Sequence, residues 1–236
     1  MLIKTMKLRL DELVLYVAVD LGAFLFGSLL LGLVTYFGSS EPDFTVFRLG
    51  TVMAWIIFCF ISIGMGMFGM GAYFNWHVGF GRTRKSFFIC DMATEFCWNL
   101  LSLMMIWVLS FAEGGILKLF YGSYQEEIKD FWGIRFGCII PALALLLAVT
   151  RELTGTLIMR FGNKAFWVMW ALWMIICLVP GKIKSYKTSA LGKLIEKIMV
   201  WIVGMSVTGW VIMGIVLVIL ILAVSWMLMR KQMVKS

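Results

Sequence analysis

Charge is what this 236-residue chain has least of: Asp, Glu, Lys and Arg make up 14% of it, against about 25% in soluble globular domains. A chain so poor in charge cannot cover a core with polar surface in water. With 62% hydrophobic residues and a mean hydropathy of +0.96, it belongs in a membrane. Histidine is almost missing as well, His77 being the single one, so no HExxH motif or histidine-based metal cluster can form. The GxSxG signature of a nucleophile elbow is absent too. The five cysteines, Cys59, Cys90, Cys97, Cys138 and Cys177, lie in apolar runs without a CxxC pair, which fits neither a disulfide framework nor a zinc pattern. Finally, there is no GxxxxGK[ST] phosphate loop, so the chain does not hydrolyse ATP itself. No catalytic residue, metal or resident cofactor is expected.

What fills the chain instead is long apolar sequence. A helix needs about 20 mainly apolar residues to cross the hydrocarbon core, and by that ruler six spans are expected, at approximately 13–37, 50–73, 87–111, 134–150, 165–181 and 199–229. The first run is too long for the h-region of a signal peptide and no small-residue cleavage site follows it, so it is expected to stay as a span. The expected fold is all-α and integral to the membrane, one transmembrane domain over residues 1–236, since no connection is long enough for a separate soluble domain. Lys and Arg concentrate at the N-terminus, at residues 82–85, at 151–164 and at the C-terminus, while most carboxylates fall on the opposite loops; the positive-inside rule then puts both termini in the cytoplasm. The lysine-rich loop 182–198 runs against this assignment. Loop lysines and arginines also account for the net charge of +8, so no nucleic-acid partner is expected; the lipid bilayer is.

Three groups of residues carry candidate chemistry. Arg82, Arg84 and Lys85 crowd into GFGRTRKSFFICD, residues 79–91, between the second and third apolar runs. Asp91, Glu95, Asn99 and Ser102 follow at helical spacing and form one polar stripe along the third span. Because ionisable groups are costly in lipid, the stripe is either a substrate or proton pathway or an ion-pairing face whose Asp91 and Glu95 meet nearby arginines. Asp20, about two turns into the first span, is a similar case and a candidate member of that network. In the second span, Ser62, Gly66 and Gly69 share a face of small residues suited to close helix packing.

The stretch FGRTRKSFF, residues 80–88, following an apolar span and FNWHVG, resembles a motif of the small permease subunits of bacterial ABC type-2 exporters. The six-span layout with a basic amphipathic N-terminus is similar to those proteins over most of the chain. The resemblance implies a bacterial plasma-membrane transport protein, paired with a second permease subunit, identical or sister, and energised by a separate cytosolic ATPase that binds ATP and Mg. It implies that residues 75–86 form the coupling helix seated on the ATPase, with Asn75, Thr83 and Ser86 in the segment. Arg82, Arg84 and Lys85 would contact the ATPase or lipid phosphates, and Gly79 and Gly81 would permit the turn back into the membrane. Residues 1–13 would lie along the membrane surface, and 151–164 would be a second cytoplasmic contact. The alternatives to this reading are a non-transport accessory or assembly protein and an intramembrane enzyme using Asp91 or Glu95.

Overall fold

The structure, a computed structural model, describes residues 2–38, 48–121, 134–186 and 207–230. It is built of α1 (Leu2–Leu8), α2 (Leu10–Gly38), α3 (Leu49–Gly79), α4 (Arg84–Tyr121), α5 (Ile134–Phe161), α6 (Asn163–Tyr186) and α7 (Val207–Arg230), with no strand among the described residues. Lipid leaves no water to satisfy backbone groups, and helices satisfy theirs within the segment.

Five stretches among the described residues are long and apolar enough to cross a membrane: Leu10–Phe37, Leu49–Gly79, Arg84–Leu119, Gly137–Phe161 and Val211–Arg230. They contain much of the expected first, second, third, fourth and sixth spans, but several run further. α4 continues ten residues beyond 111, and at 38 residues it is about 57 Å long, nearly twice the roughly 30 Å hydrocarbon core. Likewise α5 continues through 151–161, a stretch expected to be a cytoplasmic connection. The reason is common to both: polar residues end an apolar run without ending a helix, which needs a cap or a breaker. The expected fifth span, 165–181, falls on α6, whose side chains beyond Met174 lie outside the described residues. Residues 199–206 and 187–198 lie outside them too, as do most of the connection 112–133 and the terminal residues 231–236.

Residues 1–152 form one compact unit and residues 153–236 a second. In the first, Ala23 and Phe24 of α2, Ala54 and Phe58 of α3, Leu103 and Ile106 of α4, and Ile140 and Ala144 of α5 close a shared core. Two glycines bring α2 and α3 together: a Cβ on Gly27 would stand 2.8 Å from the Leu49 carbonyl oxygen and 2.9 Å from the Gly50 Cα. Small residues permit such backbone approach between spans. Leu25, Leu29, Phe60 and Phe68 point outward and are exposed, as expected of faces that meet acyl chains. In the second unit, Gly162 takes a left-handed φ of 61° and ends α5 one residue before α6 begins. There the Arg160 guanidinium donates to the Leu228 carbonyl at 3.5 Å, and Trp167 and Trp170 meet edge to face at 5.9 Å.

Candidate functional site

The joint between α1 and α2 positions the site. Arg9 sits between these helices, its amide bonded to the Met6 carbonyl and its own carbonyl accepting from the Glu12 amide, both at 3.1 Å. This turns the Arg9 side chain inward, where 1% of the residue remains exposed. Its Nε donates to Glu12 Oε2 at 2.6 Å and its Nη1 to Asp91 Oδ1 at 2.5 Å, while Nη2 donates to Glu95. The Tyr73 ring of α3 lies under the guanidinium, 4.8 Å from centroid to Cζ.

A second arginine enters from α5. Arg151 is as buried as Arg9 and forms an ion pair with Glu95, with Asp91 at 3.7 Å and Glu12 at 3.9 Å. Its neighbour Glu152 is buried against Asp91. Two guanidiniums thus face four carboxyls inside the helix packing. Burial alone would work against the charge on Arg9, but Asp91, Glu95 and Glu12 outweigh it and hold its pKa above the ordinary range. A planar fork with five donors is the group that can serve several carboxylates at once.

Of the expected stripe, Asp91, Glu95, Asn99 and Ser102 are all buried on one side of α4. The first two meet arginines, but those arginines are Arg9 and Arg151, not the basic cluster at 82–85. Asn99 instead accepts a hydrogen bond from the Ser62 hydroxyl of α3 at 3.0 Å. Asp20 does not join the network: it is buried in α2, and no group among the described residues hydrogen-bonds either carboxylate oxygen. The expected surface role of the N-terminal cations fails for Arg9, and the expected cytoplasmic contact fails for Arg151, because each is buried.

The face of small residues splits. Ser62 and Gly66 are buried, and a Cβ on Gly66 would stand 2.8 Å from the Arg151 carbonyl oxygen, so the closest neighbour there is α5. Among the described residues Gly69 meets no other helix; a Cβ there would touch the Tyr73 side chain of its own helix, at 3.4 Å.

The basic cluster occupies a four-residue connection and the first turn of α4. Asn75 and Gly79 belong to α3, so no separate helix lies between α3 and α4. The Gly81 amide bonds the Val78 carbonyl at 3.0 Å and the Arg82 amide bonds the His77 carbonyl at 3.2 Å. With Gly81 at φ 75°, this is a Schellman closure of α3; Gly79 needs no such conformation. Thr83 then caps α4, its hydroxyl accepting from the Ser86 amide at 3.2 Å. Lys85 is exposed, and Arg82 and Arg84 are half-buried. Arg82 reaches back to donate to the Thr5 hydroxyl of α1 at 3.1 Å, which ties the connection to the short helix that delivers Arg9. His77, buried at the base of the turn, donates from Nδ1 to the Tyr73 carbonyl at 2.9 Å.

A further buried acid was missed by reading 112–133 as a connection. Glu113 caps α3 from α4: its Oε1 accepts from the Gly50 amide at 2.8 Å, and its Oε2 accepts from the Thr51 amide at 2.8 Å and the Thr51 hydroxyl at 2.6 Å. A cavity of about 280 Å³ opens beside it, walled by Phe24, Leu31, Ile116 and Leu117. The described cysteines, Cys59, Cys90, Cys97 and Cys138, are free.

Helices of this length and composition, closed around a charged interior, define the class: an all-helical, multi-pass membrane protein. Comparison with protein-family models, with curated proteins and with solved structures finds no match for the chain.

Proposed function

We propose that the chain is the permease subunit of an ATP-driven exporter in a bacterial plasma membrane, with six spans and both termini in the cytoplasm. In this reading it pairs with a second permease subunit, identical or sister, and a separate cytosolic ATPase binds ATP and Mg and supplies the energy. The observation that carries the reading is the bond between Arg82 and Thr5. It links an exposed basic turn to α1, and α1 leads directly to Arg9, which holds α2 and α4 through Glu12, Asp91 and Glu95. A protein docked on the turn can therefore act on several helices at once. Its nucleotide cycle drives transport to the extent that it binds two permease states with different affinity.

The resemblance implied a separate coupling helix; here the same role falls on a capped turn, Phe80–Thr83, and the first turn of α4. The test is Lys85→Glu, which reverses an exposed charge without touching the ion network. Loss of co-purification with a co-expressed cytosolic ATPase bearing Walker motifs, at unchanged yield and elution of the permease, is the expected result. Unaltered association and unaltered substrate-stimulated hydrolysis would sink the proposal.

A further inference from the structure

Among the described residues, Asp20 is a buried carboxylate that neither the ion network nor a helix cap takes up. It lies ten residues after Leu10, where the first apolar span begins, which is about 15 Å along the helix axis and so near the middle of a hydrocarbon core of about 30 Å. It is 1% exposed, and among the described residues no side chain or backbone group meets hydrogen-bond geometry with either of its carboxylate oxygens. From α4 the Ser102 hydroxyl faces it short of hydrogen-bond geometry, and from α3 the Cys59 thiol is in electrostatic reach. α5 brings Ile140 and Ala144 to the same core. No cation among the described residues interacts with it.

An ionised carboxylate in such a place is very costly unless a cation joins it. A sodium ion would need a shell of several oxygens, and among the described residues the side-chain oxygen shown to face Asp20 is the Ser102 hydroxyl. A proton needs no shell. A polar route to the position also exists. Glu12, Tyr16 and Asp20 recur every four residues and share one face of α2, and the buried Tyr16 hydroxyl is unbonded and in electrostatic reach of Glu95 and Arg151. Side chains on a helix lean toward its N-terminus, so Tyr16 leans toward the ion network and Asp20 leans toward Tyr16.

We propose that Asp20 is an intramembrane proton-binding site, loaded from the ion-network end of the molecule along the face shared by Glu12, Tyr16 and Asp20. One proton adds to the carboxylate to give the neutral acid, and the same proton leaves when water or a cation reaches Asp20. The inference does not depend on any partner or on the exporter reading.

Infrared spectra of the purified full-length chain in lipid nanodiscs test it directly. At neutral pH the carbonyl stretch of a protonated carboxylic acid is expected, absent in Asp20→Asn and shifted in Asp20→Glu. The band should fade on alkaline titration and be the same in sodium and in choline buffers. Should Asp20→Asn fail to fold, the shift in Asp20→Glu still assigns the band. Identical spectra for the wild type and Asp20→Glu would overturn the proposal. A band that sodium displaces at fixed pH would make this a sodium site, and one that neither fades nor exchanges with deuterium would make Asp20 a structural acid; both also overturn it. Tyr16→Phe should slow deuterium exchange of the band several-fold, and an unchanged rate would overturn the route.

Discussion

The guanidinium of Arg9 and the carboxylate of Glu95 bond each other in the interior across 86 positions of sequence. One side chain thereby fixes the start of α2 against α4, and its removal should be felt throughout the first unit. Arg9→Ala leaves Glu12, Asp91 and Glu95 with one arginine among them, and breaking a buried ion network this way costs about 3–5 kcal/mol. A correspondingly lower thermal unfolding midpoint in detergent is expected. Arg9→Lys should recover only part of it, because an ammonium cannot present the planar fork. Wild-type stability in Arg9→Ala would show that the network contributes nothing to the fold.

Gly66 and Gly69 make a matched pair for the packing of α3. A methyl at Gly66 meets the Arg151 backbone, and crowding of this kind costs about 1–3 kcal/mol. Gly69→Ala meets only a tyrosine side chain of its own helix and should leave stability within about 0.5 kcal/mol of wild type. Equal midpoints for the two variants would place the α3–α5 contact elsewhere.

Glu113 should behave as a cap delivered from another helix. Glu113→Ala strips acceptors from the Gly50 and Thr51 amides, and buried donors left unmade cost about 1–3 kcal/mol each. Hydrogen exchange at the start of α3 should accelerate in this variant while exchange at its far end stays slow. Uniform exchange along α3 would contradict the assignment.

The turn offers a second pair. Gly81→Ala forces an alanine into a left-handed conformation at a cost of about 1–2 kcal/mol. Gly79→Ala sits in helical backbone with open space around it and should be neutral or stabilising by up to about 1 kcal/mol. Thermal midpoints of the two variants in the same detergent decide it.

These residues also show what the sequence could and could not disclose. The long apolar runs and the four-residue spacing of Asp91, Glu95 and Asn99 announce helices and a polar face, because both are properties of neighbours along the chain. That the cations for Asp91 and Glu95 are Arg9 and Arg151 is a property of packing, and the nearer Arg82, Arg84 and Lys85 were the more obvious partners by position. The signal that could have found them is the pairing rule itself: acids inside a bilayer call for cations at matching depth, and Arg9 and Arg151 stand at the ends of apolar runs where that depth is available. Helix ends were legible only where a cap is local, as at Gly81 and Thr83. At Glu113 and across 151–161 the helix outlasts its apolar composition, and hydropathy stops too early.

α3 and α4 are stitched together at three levels: Glu113 with Gly50 and Thr51 at one end, Ser62 with Asn99 in the middle, and the capped turn at Phe80–Thr83 at the other. Antiparallel rods joined at both ends and at mid-length cannot shear past one another, so the pair bends and tilts as a single strut. Any change of shape in this unit must therefore slip along another seam. The crossing of Gly27 over Gly50 lies on such a seam, between α2 and the strut, where the short Ser28 hydroxyl is the α2 side chain set against Gly50.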